Sequence, residues 1–254
     1  MKKNCAFTLS ELLITLGIIG VVAAITIPSL ITKINDRQNI VRWRKTYSVV
    51  NDAFKRVVER DVPVCAFSGC RAMGPQINNA NDRDFYFSND FLEAFIEELK
   101  PMDICYQNAE PKCDSKKIWV NVKSKSYGRY ALLNKPKEFL NGYNWTSARF
   151  LLKDGSMIYM GGSHGGPWLS VDVNGANNGP NQVGRDMFII KVFEDKILPM
   201  GAQGSFNTKS NGEKCLCGEQ YGQQTAANYF AGAGGADKVI SGGCCSDYYI
   251  KNNK

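Results

Sequence analysis

From Leu12 to Ile31 the chain carries no charged side chain, and an acid, Glu11, stands directly before that run. About twenty apolar residues is the length a helix needs to cross the hydrocarbon of a bilayer. No water is available there for backbone polar groups, so the stretch is expected to be helical. Lys2 and Lys3 precede it, which holds the amino terminus on the cytoplasmic side and sends the rest of the chain outward. Two residues are out of place in a plain anchor. A carboxylate at membrane depth costs about 2.5–3.5 kcal/mol on insertion scales, so Glu11 calls for a partner. Pro28 removes one backbone hydrogen bond and is expected to kink or locally loosen the helix.

Ala6-Phe7-Thr8-Leu9-Ser10-Glu11-Leu12, with Lys2 and Lys3 ahead and Pro28 behind, resembles the processing site of type IV prepilins and type II secretion pseudopilins. The resemblance implies a leader, residues 1–6, cut by a prepilin peptidase between Ala6 and Phe7, with the new Phe7 amine then methylated. Glu11 becomes the fifth mature residue, where that family places its acid, and Pro28 falls where the family commonly has a helix-bending proline. Ala6 stands where the family usually has Gly. The resemblance also implies a single-pass protein of the inner membrane, its head in the periplasm or outside, assembled in a filament. Its implied partners are the peptidase, an assembly platform and other pilin or pseudopilin subunits. A carboxylate that meets the free amine of a neighbouring subunit's Phe7 is a paired charge instead of an orphan. Phe7, Glu11 and Pro28 are therefore the expected assembly residues. Two rival readings exist. One is a secretory signal peptide cut after Ala24, which leaves Glu11 without a purpose. The other is a plain signal anchor bearing an extracytoplasmic ligand-binding or enzymatic domain.

The helical pattern continues past the membrane. Ile34, Ile40, Trp43, Tyr47, Val50, Phe54 and Val57 recur at threes and fours, after one looser step, with Arg42, Arg44, Lys45, Asp52 and Lys55 between them. Residues 8–60 are thus expected to form one helix. Residues 7–31 are the transmembrane and filament-core half, and residues 32–60 the amphipathic half. A globular head spans residues 61–200, and a Gly-rich extension spans residues 201–254. Within the head, Ser88 or Asn89 can cap a short helix through Leu99, ended by Pro101, with Phe91, Leu92, Phe95, Ile96 and Leu99 buried. Arg149–Lys153 and Ser156–Met160 flank Asp154-Gly155, read as a two-residue hairpin turn. Trp168–Val173 and Asp186–Phe193 read as strands, and a tight turn at Glu194-Asp195 leads to Lys196–Met200. The expected fold is α+β: a long amino-terminal helix packed on an antiparallel β meander, with a disulfide-rich C-terminal extension.

Nine cysteines are present. Cys5 precedes the apolar run, and Cys65, Cys70, Cys105, Cys113, Cys215, Cys217, Cys244 and Cys245 follow it. An even number of clustered cysteines in an exported chain reads as a disulfide framework. Cys65–Cys70 and Cys105–Cys113 are expected as local loops, with the last four cross-paired because adjacent cysteines seldom bond to each other. A four-thiolate zinc site made from the last four is the less favoured alternative.

Little else reads as chemistry. Gly161-Gly162-Ser163-His164-Gly165 matches a nucleophile-elbow pattern, but His164 is the only histidine in the chain and cannot serve as a separate base. That segment is read as a flexible Gly loop, and no enzymatic activity is expected. Asp172, Asn174, Asn177, Asn178, Asn181 and Asp186 place short oxygen-bearing side chains among glycines, a pattern that suits Ca²⁺. Some pseudopilins carry a calcium loop between strands, which the resemblance adds. The same residues also read as an Asn/Gly-rich turn linking two strands, and the turn is the preferred reading. The net charge of +7 falls to +5 once Lys2 and Lys3 leave with the leader. Its scattered lysines and arginines indicate a solvated surface and no specific nucleic-acid partner.

Overall fold

A computed structural model describes residues 8–65, 87–106, 130–132, 135–140, 146–163, 166–175, 178–202, 205 and 245–252. The chain divides into two compact units, residues 1–38 and 39–254. Helix α1 (Leu9–Val58) passes through both, with Pro28 inside it. In the first unit its large apolar side chains from Leu9 to Ile34 are exposed. The threonines of this greasy stretch hide their hydroxyls: Thr15 donates to the Leu12 carbonyl, Thr26 to Val22 and Thr32 to Pro28, at 2.9–3.0 Å. A hydroxyl satisfied by the turn behind it can enter an apolar phase without an orphan donor.

In the second unit α1 becomes amphipathic and buries Asn39, Trp43, Thr46, Val50, Ala53, Phe54 and Val57. The sequence pattern places this stripe correctly from Trp43 onward. Ile34, counted as part of it, is exposed and lies in the first unit. Helix α2 (Asn89–Leu99) starts at Ser88, whose hydroxyl accepts the Phe91 amide at 3.0 Å. It ends at Lys100, which is in the left-handed region and whose N–H donates to the Ile96 carbonyl. Phe91, Phe95 and Leu99 are its buried face. Phe87, Phe91 and Phe95 stack in succession, and Phe95 meets Phe150 edge-on. On the outer side Arg56 and Arg60 of α1 hold Glu98 of α2, and the Arg56 hydrogen bond is the chief cause of that carboxyl's lowered pKa.

Among the described residues the sheet has six antiparallel strands in the order β1 (Asp103–Tyr106), β4 (Thr146–Leu151), β5 (Met157–Ser163), β6 (Gly166–Asp172), β7 (Met187–Val192) and β8 (Ile197–Pro199). From β4 to β8 this is the expected meander. The edge strand β1 and a separate two-stranded sheet, β2 (Tyr130–Leu132) with β3 (Lys135–Leu140), carry no alternation strong enough to announce them in the sequence. Ala148, Phe150, Ile158, Met160, Leu169, Val171, Phe188, Ile190 and Val192 belong to one core cluster with the buried faces of α1 and α2. Their strand neighbours Arg149, Met157, Tyr159, Trp168, Ser170 and Ile189 point to the other face. They are buried too.

Two turn expectations are sharpened. Phe193 N–H donates to the Lys196 carbonyl, so Glu194-Asp195 is indeed a two-residue turn. The β4–β5 turn is one residue longer than expected. Gly155 N–H donates to the Leu152 carbonyl, and Gly155 has φ +85°, giving a turn centred on Lys153-Asp154 with Gly155 as its left-handed closing residue. Gly161, Gly162 and Ser163, read as part of a flexible loop, are strand residues paired with Trp168, Pro167 and Gly166. A last helix, α3 (Cys245–Lys251), lies within the stretch read from sequence as a Gly-rich extension. Cys65, Cys105 and Cys245 are each disulfide-bonded. Cys5, Cys70, Cys113, Cys215, Cys217 and Cys244 lie outside the described residues.

Candidate functional site

Two sets of candidate residues can be located. The first is the start of α1. Thr8 donates from its backbone N–H and its hydroxyl to one Glu11 carboxylate oxygen, at 2.9 and 2.8 Å, and Glu11 N–H donates back to the Thr8 hydroxyl at 3.3 Å. Thr-x-x-Glu is a capping box, in which two otherwise orphaned amides of the first helical turn are satisfied reciprocally. The negative carboxylate also sits at the positive end of the helix dipole. Glu11 thus has a partner within its own chain, Thr8, which is not among the residues singled out from sequence. Its signal was present, because the threonine stands three residues before the acid. Ala6 and Phe7 lie outside the described residues. Pro28 is separated from Glu11 by more than four turns of α1.

The second set is the β6–β7 connection. Asp172 and Asp186 are fully buried. Asp172 Oδ1 accepts the Asn174 and Gly175 amides at 3.2 and 2.8 Å. Asp186 accepts the Asn181 amide at 2.7 Å and the Gln182 amide at 2.6 Å, one on each oxygen. Val173 N–H donates to the Asp186 carbonyl at 2.9 Å, which closes the base of the loop. Asn178 Nδ2 donates to the Asn174 carbonyl at 2.6 Å, and Asn174 Nδ2 to Gly179 at 3.2 Å. The Gly179–Pro180 peptide is cis, and Asn181 is in the left-handed region, which asparagine tolerates. Five of the six candidate ligands are therefore in one short loop, and Asn177 lies outside the described residues. Gln182, not singled out from sequence, is part of the same network.

This geometry supports the turn reading, since both carboxylates staple loop amides. It also fits a hard cation in donor type. Among the described residues no hydrogen-bond donor reaches the buried Asn174 Oδ1. Burial pushes the Asp186 carboxyl up despite the Gln182 and Asn181 amides, so its charge is incompletely compensated. The described residues contain no group of three or more carboxylates, histidines or cysteines able to hold a metal. A Ca²⁺ site here would draw on two carboxylates plus amide and main-chain oxygens.

The loop is tied to the β4–β5 turn and through it to α1. A Cβ on Gly175 would come within 2.8 Å of the Gly155 carbonyl oxygen, so the two turns meet with no room for a side chain at position 175. Asp154 accepts the Ser156 amide and hydroxyl and faces Lys45 of α1 at 3.6 Å. Its burial is outweighed by these partners, and its carboxyl stays below the usual range.

Helix α1 is long and apolar enough to cross a membrane, with its most apolar window unburied and near the amino terminus. Residues 1–27 match the family model of the prokaryotic N-terminal methylation motif. The chain carries a prepilin-type signal. That signal covers the Phe7–Glu11 segment, the capping box and most of the exposed stretch of α1. No curated protein and no solved structure matches the chain. The assignment therefore rests on the prepilin-type signal and on the helix that bears it.

Proposed function

We propose that this chain is a structural subunit, without catalysis of its own, of a type IV pilus or a type II secretion pseudopilus. A prepilin peptidase removes residues 1–6 and leaves Phe7 as a methylated amino terminus. The subunit waits in the inner membrane with its head in the periplasm, then moves laterally into a filament through an assembly platform. The observation that carries this reading is the prepilin-type signal of residues 1–27, followed by a helix whose apolar side chains are exposed. An exposed apolar stem needs lipid or neighbouring stems around it. The large head and its cysteines favour a minor or specialised subunit over the bulk repeating one.

Glu11 gives the reading its mechanism. Before assembly the carboxylate would keep its bonds to Thr8 of its own chain. In the filament it is proposed to exchange that contact for the charged Phe7 amine of a neighbour, a stronger charge-assisted bond. Assembly then gains an ion pair where the waiting subunit had only a cap. Calcium would serve the head: Asp172, Asn174 and Asp186 would hold it, with Asn177, Asn178 and Asn181 from the same loop. Its charge would offset the buried carboxylates and stiffen the β6–β7 connection. The direct test is the intact mass and amino-terminal sequence of the protein recovered from membranes. A start at methylated Phe7 is expected. A start at Ile25, or an uncut Met1, overturns the proposal.

A further inference from the structure

The chain has Asn-Gly steps at residues 141, 174, 178 and 211, and two of them, Asn174-Gly175 and Asn178-Gly179, lie in the described part of the β6–β7 loop. An asparagine followed by glycine is prone to close on itself. The glycine's main-chain nitrogen attacks the side-chain carbonyl carbon, and the missing Cβ leaves that approach open. The attack needs a nitrogen that can give up its proton and a side chain able to turn onto it. The two steps differ in both respects.

Gly175 is buried, and its N–H donates to the Asp172 carboxylate at 2.8 Å. A carboxylate on that N–H opposes loss of its proton. Gly175 has no room to shift either, because the Gly155 carbonyl oxygen lies 2.8 Å from where its Cβ would stand. Asn174 is held as well, through Nδ2 to the Gly179 carbonyl at 3.2 Å. Asn178 and Gly179, in contrast, are exposed. Among the described residues no acceptor takes the Gly179 N–H, and a Cβ there would meet nothing within 4 Å. Asn178 Nδ2 donates to the Asn174 carbonyl at 2.6 Å, an exposed bond between neutral groups. Such a bond restrains less than a buried one to a carboxylate.

We propose that Asn178 is a site of self-modification, which ages from an amide to a carboxylate while Asn174 is protected. The deprotonated Gly179 nitrogen bonds to Cγ of Asn178, the Cγ–Nδ2 bond breaks, and Nδ2 leaves as ammonia with the proton that Gly179 gave up. Water then opens the succinimide at either carbonyl and leaves an aspartyl or isoaspartyl residue at 178. No oxidant or cofactor enters. The loop gains a third carboxylate beside Asp172 and Asp186. It stands where Nδ2 donated, so it repels the Asn174 carbonyl that Asn178 had held. The top of the loop parts there, while Asp172 and Asp186 keep the amides that they staple.

Peptide mapping by mass spectrometry of the full chain in detergent, held in mildly alkaline buffer, tests this. Ammonia loss and the acid products are expected at residue 178 about tenfold faster or more than at 174, where a hydrogen bond to a charged acceptor must break first. Unfolded in guanidinium, the chain should modify both steps at similar rates, because the loop contacts that separate them are gone. Gly179→Ala, which places its Cβ in open space, should suppress modification at 178 and leave the melting midpoint unchanged. Equal rates at 174 and 178 in the folded chain overturn the proposal. So does an intact Asn178 after a time in which the unfolded chain has been converted.

Discussion

The indole N–H of Trp43 donates to the carbonyl of Ser246 across 203 positions of sequence, at 2.9 Å and fully buried. Trp43 also stacks on Phe188 with ring centroids 4.7 Å apart. Trp43→Phe keeps an aromatic ring against Phe188 and deletes the donor. It is expected to lower the stability of the head by about 1–2 kcal/mol, mostly through the lost hydrogen bond and the space left by the smaller ring. Thermal unfolding of the two proteins in the same detergent measures this, and an unchanged midpoint would show that the contact contributes nothing.

Glu11→Val should leave membrane insertion intact, because removing a charge from the apolar stretch makes insertion easier. Incorporation into filaments should be lost. Thr8→Ala removes the hydroxyl half of the capping box and is expected to be milder, because the backbone N–H of Thr8 still reaches Glu11. Membrane fractionation and filament shearing separate the two effects. Normal filaments from the valine variant would deny Glu11 a pairing role.

Asp186→Asn is expected to destabilise the β6–β7 loop by about 1–3 kcal/mol, because an amide offers one acceptor where the carboxylate serves the Asn181 and Gln182 amides on separate oxygens. The wild-type carboxyl, raised by burial, keeps its proton to a higher pH when folded than when unfolded. Its ionisation therefore lowers stability as pH rises through that window. Were the loop a Ca²⁺ site and not only a turn, Ca²⁺ would raise the melting midpoint of wild type but not of the asparagine variant. Identical calcium responses in both would exclude the loop as a site.

Lys191 supplies a pH signature of opposite sign. Burial pulls its ammonium from 10.5 down to about 8. The unfolded chain then holds that proton when the folded chain has released it, so stability should rise with pH above about 8. Tyr47, raised by burial and then by Asp247, acts the other way only beyond its ordinary value of 10.0. Urea unfolding of the full chain between these limits should show the slope in wild type and not in Lys191→Met. A flat wild-type profile would mean that Lys191 is not desolvated.

Whatever depends on neighbours along the chain was legible in advance. The uncharged run after Glu11, the stripe from Trp43 to Val57, the Ser88 cap and the Glu194-Asp195 turn are local patterns whose physics acts within a turn or a hairpin. The prepilin-type signal belongs to the same class, since its basic leader, Phe7, Glu11 and Pro28 lie on one continuous segment. The capping partner Thr8 is equally local, three residues before Glu11.

Tertiary structure decided the rest, because burial and long-range pairing depend on what the whole chain brings alongside. Asp172 and Asp186 stand in sequence at the facing ends of two expected strands, as candidate cation ligands, and only the pairing of β6 with β7 shows both carboxylates fully buried. Gly175 is needed as a glycine only because Gly155 approaches it from another hairpin. Strand β1 is four residues long and gains its identity from the register Cys105↔Arg149, not from any pattern of its own. Helix α3 lies within a stretch read from sequence as a Gly-rich extension, and its seven residues are too few to hold a helix by propensity. It forms because Trp43, Arg44, Ile189 and Met200, distant in sequence, meet its backbone and the Ser246 hydroxyl at the edge of the sheet.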